Sequence, residues 1–171
     1  MLLFERCAEC GGRSVHPVRH LRVAGQSACI DEGIADLVLA CWQVGLRTSE
    51  SCQDFLYPDE EHEPEMFLSM ATFADHLMLG AFLIEGGPPG PVLDRLLGHS
   101  SDTPRWDLAA RPSTAAWDGE RPADPPRADV WHSVTFPPAD LEDAITRLRN
   151  GAALYPTATE RAQLVRRLLT T

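Results

Sequence analysis

The sequence predicts an α+β fold: a single mixed or antiparallel sheet of four or more strands with helices on one face. Three observations carry this reading. DEGIADLVLACWQVG, residues 31–45, sets Ile34, Leu37, Val38, Cys41 and Trp42 at i, i+3, i+4, i+7 and i+8, the continuous apolar face of a helix. LRTSESC (46–52), MFLSMA (66–71) and DVWHSVTF (129–136) have the composition and period of strands. The order helix, strand, strand, helix then occurs twice, over 31–85 and 91–150. FLSMATFADHL and WHSVTFPPADL share one pattern, so the halves read as duplicated αββα units.

With 171 residues the chain has the length of one domain. Such a chain buries roughly 68–70% of its unfolded surface, and half of it could not build a core alone. The GGPPGP run at 86–91 is therefore a junction between pseudo-repeats within a single domain, 1–171.

Residues 1–30 precede the first half. SVHPVRHLRVAGQSACI, 14–30, reads as a β-hairpin turning at Gly25-Gln26. Asp31 suits the N-cap of the helix that follows, and Glu32 and Asp36 suit its positive end. Gly45 fits the left-handed position past the helix end, with Leu46 folding back on Cys41. In the strand after it, Leu46, Thr48, Glu50 and Cys52 would share one side. Residues 53–65, QDFLYPDEEHEPE, form an acidic loop. Thr72 caps the next helix with Asp75 at N3, and Phe73, Leu77, Gly80, Ala81 and Ile84 would line its inner face. In the second half PVLDRLLGH is a short helix, RWDLAAR a strand, and 112–128 a proline-rich irregular excursion. Pro137-Pro138 opens a helix with Leu141, Ala144, Ile145 and Leu148 inward. The last helix, 157–171, starts with a Thr157–Glu160 capping box.

Formal net charge is −10, and all 15 positive side chains are arginine. An acidic surface opposes non-specific nucleic-acid binding, which rewards basic surfaces. No apolar run reaches 18 residues and the N-terminus lacks the pattern of an export signal, so a cytoplasmic protein is expected. Five cysteines in such a setting read as thiols or metal ligands rather than a disulfide framework.

CAECGG at 7–12 carries a Cys-x-x-Cys pair with following glycines, the form of a zinc knuckle. Cys7 and Cys10 would be joined by Cys29 at the end of the hairpin, and His16 or His20 would complete a four-donor set. Zinc is the cofactor this implies.

The tip of the LRTSESC strand is the other candidate. Thr48, Ser51, Gln53 and Asp54 offer hydroxyl, amide and carboxylate groups that orient a polar ligand at a pocket mouth. Cys52 among them is a potential nucleophile or substrate contact, with Asp54 beside it. The acidic loop could close over that ligand. The expected function is a small ligand-binding or regulatory protein. The alternatives are an enzyme acting on a nucleotide or modified base through Cys52, and a zinc-stabilised interaction module. Its partner would be a small molecule or a protein. Arg161, Arg166 and Arg167 on the last helix suit a solvated face, a partner contact or the edge of a homo-oligomer.

The run IDEGIADLVLACWQVGLRTSESCQD, 30–54, resembles a set of actinobacterial and phage proteins in which a helix leads into a Thr-x-x-Ser-Cys-Gln segment. It also has a remote similarity to the tRNA wybutosine-synthesising methyltransferase family. Asp31, Leu37, Val38, Thr48, Ser51 and Cys52 match by position. That resemblance implies S-adenosylmethionine and an RNA substrate. Gln53 and Asp54 replace the family's Ser-Gly-Arg, and the net negative charge runs against an RNA partner.

Overall fold

The computed structural model describes residues 5–53, 65–97, 107–113, 117–118, 121–122 and 129–170. The architecture is α+β. Two short strands, β1 (Glu5–Arg6) and β2 (Arg13–Ser14), bracket the Cys-x-x-Cys segment. The hairpin β3 (Val18–Val23) and β4 (Gln26–Asp31) follows. Then come α1 (Ala35–Gln43), β5 (Thr48–Cys52), β6 (Met66–Met70), α2 (Phe73–Glu85) and α3 (Pro91–Leu96). β7 (Asp107–Ser113), the short pair β8 (Trp117–Asp118) and β9 (Arg121–Pro122), β10 (Asp129–Phe136), α4 (Leu141–Ala153) and α5 (Ala158–Leu169) complete the chain.

The main sheet has the order β5-β6-β10-β7, and every neighbouring pair is antiparallel. The two central strands, β6 and β10, each run directly into one of the long helices, α2 and α4, which pack on each other. The second half therefore mirrors the first in element order. On the helix side of the sheet Met66 pairs with Phe136, and Leu68 with Val134. These join Ile34, Leu37, Val38, Cys41, Leu79, Phe82, Leu148 and Leu164 in one core. β6 is buried along its whole length: Met66, Leu68 and Met70 join the core on the helix side, and Phe67 and Ser69 on the opposite side are buried as well.

The helix ends follow local chemistry. Gly45 has φ +84°, and Leu46 N–H donates to Cys41 O across the turn, the six-to-one bond of a Schellman end. Thr72 Oγ1 accepts from Asp75 N–H at 3.1 Å, and Thr157 and Glu160 form the full reciprocal box. Arg161, expected on a solvated or partner-facing surface, turns inward: it donates to Tyr155 O and Val44 O and lies over the Phe82 ring.

Several elements differ from the expectation. The hairpin turns on Ala24-Gly25, both at positive φ (51° and 81°), one residue before Gly25-Gln26. That is the twist a two-residue hairpin loop requires. Asp31 stands at the start of a 3-10 turn, Glu32–Ile34, but makes no side-chain cap; its carboxylate is drawn elsewhere. In β5 the register slips between Thr48 and Glu50. Thr48 pairs with Met70 on the helix side, whereas Glu50 and Cys52 pair with Ser69 and Phe67 on the opposite side. One extra residue in a strand reverses the faces of all that follow. In α2 the buried residues are Asp75, His76, Leu79, Ala81, Phe82 and Leu83; of the five expected inward, Ala81 is buried and Phe73 is exposed. This helix touches the sheet, α4 and α5 at once, so packing overrides its apolar period. β7 begins two residues later than RWDLAAR, the 112–128 segment contains β8 and β9, and a 3-10 turn, Pro138–Asp140, precedes α4.

α2 and α4 meet through glycine. A Cβ on Gly151 would lie 2.2 Å from Phe82 O, and one on Gly86 would lie 1.8 Å from Arg147 O. Backbone stands in the way, so no rotamer change can relieve the contact. Helix propensity alone predicts that Gly151→Ala stabilises by about 1 kcal/mol. The packing predicts the reverse, a loss of about 1–3 kcal/mol. Urea unfolding of the Gly151→Ala variant checks the sign.

Candidate metal centre

The Cys-x-x-Cys segment forms a tight knuckle between β1 and β2. Cys7 N–H donates to Gly12 O and Gly11 N–H to Cys7 O, both at 2.9 Å. Gly11 has φ +72°, a conformation in which a side chain is strained. A Cβ on Gly12 would touch both Cys10 Sγ and Cys29 Sγ at 3.4 Å. The knuckle thus brings its two sulfurs against the neighbouring hairpin.

That hairpin supplies the other two donors. His20 on β3 and Cys29 on β4 are direct cross-strand partners. Their partners along the strands, Leu21 and Ile30, face the core. Period-two alternation therefore turns His20 and Cys29 outward, toward the knuckle. The donor atoms of Cys7, Cys10, His20 and Cys29 all lie within 4.8 Å of one another. His20 Nδ1 is 3.3 Å from Cys29 Sγ and 3.8 Å from Cys7 Sγ, and Cys10 Sγ is 2.8 Å from Cys29 Sγ. Metal bonds of about 2.0–2.3 Å imply tetrahedral donor separations of roughly 3.3–3.8 Å, so small movements close the set around an ion.

The surroundings fit the same role. His20 Nε2 lies 3.0 Å from Ser27 Oγ; with the ring proton on Nε2 donated to that hydroxyl, the Nδ1 lone pair is the one turned to the thiols. Glu9 N–H points at Cys7 Sγ at 3.4 Å. Bonding from the Cys29 thiol and from the Cys10 and Glu9 amides lowers Cys7 to about 6. Burial, reinforced by the thiols of Cys10 and Cys7, pushes Cys29 up to about 12. Three thiols with one acidic member form a cluster ready to exchange protons for a cation. Of the two histidines considered for the fourth position, His20 completes the set.

The expected pocket at the end of β5 is divided. Thr48 Oγ1 accepts from Trp42 Nε1 at 2.9 Å at the start of the strand. Ser51 pairs with the buried Leu68 on the helix side. Cys52 and Gln53 turn toward β4 instead. Gln53 N–H approaches Asp31 Oδ2 at 3.3 Å, and Gln53 Oε1 accepts from Gly33 N–H at 2.7 Å. Asp54 and the acidic loop lie outside the described residues. Among the described residues an open concavity of about 420 Å³ lies at the 86–91 junction, lined by Pro88, Pro91, Arg95 and Arg147 among others. None of the expected site residues that the structure describes lines it.

Sequence reasoning missed one grouping. His16, Asp31 and Cys52 also bring donor atoms within 4.8 Å of one another. The available signal was the spacing of Cys29 and Asp31, two apart on one strand and so on one face.

No family model, curated protein or solved structure matches the chain. Among the described residues no helix is long and apolar enough to cross a membrane.

Burial pushes Cys41 up to about 12, whereas Cys10 is exposed. At pH 7 iodoacetamide should label Cys10 in metal-free protein well before Cys41, which should react only on unfolding. Peptide mass mapping over time reads this order, and zinc should suppress the Cys10 label.

Proposed function

We propose that this protein is a zinc-stabilised binding module. In this reading Cys7, Cys10, His20 and Cys29 hold one structural Zn²⁺, which fastens the knuckle to the β3–β4 hairpin. The observation that carries it is the convergence of four donors from two separate hairpins to within 4.8 Å. Three sulfurs and one imidazole nitrogen are a closed structural zinc set. What supports a stabilising role is the shortness of β1 and β2, two residues each, which offer little pairing of their own.

The hairpin also rests on α1 through Leu21 and Ile30. Fixing the knuckle therefore extends the ordered surface from the core to β1 and β2. A module of this kind binds through surfaces that the metal holds in place rather than through chemistry at the metal. The polar groups at the end of β5, with Cys52 and Gln53 beside the hairpin, lie on that ordered surface. The net charge of −10 favours a small molecule or a protein as partner over a nucleic acid.

Protein purified without chelator should contain about one equivalent of zinc by elemental analysis. A strong chelator should lower its melting temperature by roughly 5–10 °C, because an ion bound only by the native state stabilises that state. His20→Ala should lose the ion, while His20→Cys should keep it. Less than half an equivalent in wild-type protein, with no response to chelator, would overturn the reading.

A further inference from the structure

We infer that His16, Asp31 and Cys52 form a second metal site, one for a divalent first-row transition ion. These residues are distinct from the four knuckle donors, so the inference does not rest on the zinc reading above.

The first support is geometric. One donor atom from each residue lies within 4.8 Å of the other two. An imidazole relaying a proton between a thiol and a carboxylate would hold them at its two different nitrogens, strung out in a line. Here a single imidazole nitrogen is close to both sulfur and oxygen, so the donors converge on a point. Convergence is what an ion requires.

The second support is the state of Asp31. It is only 7% exposed. Ser14 Oγ donates to Asp31 Oδ1 at 2.7 Å, and Gln53 N–H approaches Oδ2 at 3.3 Å. Both partners are neutral, and among the described residues no arginine pairs with this carboxylate. A buried carboxylate is costly unless a cation faces it. Among the described residues the group at hand that could supply one is the neighbouring imidazole of His16; a bound ion is the alternative. Ser14 and Gln53 meanwhile hold the carboxylate in orientation, as outer partners of a metal ligand do. Ser14 Oγ also accepts from His16 N–H at 3.1 Å, so one hydroxyl positions two of the three ligands.

The third support is the strand that carries both sites. Ser27, Cys29 and Asp31 alternate along β4 and share its outward face. Ser27 orients His20 of the knuckle cluster, Cys29 is a donor there, and Asp31 is the donor here. The Cα atoms of Cys29 and Asp31 are therefore about 6.5–7 Å apart along the strand. Two ions could sit side by side without sharing a ligand.

Mixed thiolate, imidazole and carboxylate donors suit Zn²⁺, Co²⁺ or Fe²⁺ rather than Mg²⁺ or Ca²⁺. Among the described residues three ligands converge, so a tetrahedral ion held by them would take its fourth donor from outside this set. His16 and Cys52 are half-buried, whereas Asp31 is buried. The knuckle set, by contrast, has four donors and no vacant position.

The test is cobalt binding by the full-length chain, kept reduced and equilibrated by dialysis against micromolar Co²⁺. Bound cobalt is counted by elemental analysis and thiolate-to-cobalt absorption is recorded. Wild-type protein should hold about one equivalent more than Cys52→Ala and than His16→Ala, and both variants should lose part of the absorption. Cys10→Ala should lose a different equivalent and keep the Cys52-dependent one. Equal cobalt content and equal absorption in wild-type and Cys52→Ala protein would overturn the second site while leaving the knuckle reading intact. Rapid alkylation of Cys52 at pH 7 together with unchanged cobalt uptake in Cys52→Ala would also overturn it, in favour of a nucleophilic thiol. Should His16→Ala fail to fold, Cys52→Ala decides alone, since Cys52 ends an edge strand and its far-ultraviolet circular dichroism reports retained structure.

Discussion

The arrangement depends on the two-faced character of β4. Ala28 and Ile30 turn toward α1 and the core, while Ser27, Cys29 and Asp31 turn away from it. The apolar face fixes the hairpin by burial, at about 25 cal/mol per Å² of apolar surface removed from water. A one-residue slip would carry Cys29 and Asp31 into the core and expose Ile30. Burial on one side of the strand thereby enforces the position of every donor on the other.

The second determinant is the irregularity in β5. Leu46 and Thr48 belong to the helix side of the sheet, where Thr48 bonds to Trp42. After the register shift Cys52 lies on the opposite side, beside the hairpin. Without the extra residue Cys52 would lie on the side occupied by Met70 and Leu68. A bulge at a sheet edge re-aims a side chain. Here it unites residues from β4 and β5 that a regular strand would keep apart.

Much of the fold was legible because it is written in local patterns. The α1 face, the glycine end at Gly45 and the caps at Thr72 and Thr157 each follow from a few neighbouring residues. The α2 face was not, since a helix packed on three sides loses the contrast that an apolar period needs. Three of the four knuckle donors were readable from the Cys-x-x-Cys spacing and the hairpin. The choice of His20 over His16 needed the cross-strand register with Cys29. Asp31 was read as a cap because its position before a helix fits one, yet tertiary partners took its carboxylate. The shift in β5 left no local signal, and it alone separates Cys52 from Thr48.

The central question is whether the four knuckle donors hold one ion. X-ray absorption at the zinc edge, on protein loaded with a single equivalent, addresses this most directly. The expected first shell is three sulfurs at about 2.3 Å and one nitrogen at about 2.0 Å. A shell of oxygen and nitrogen alone would contradict it.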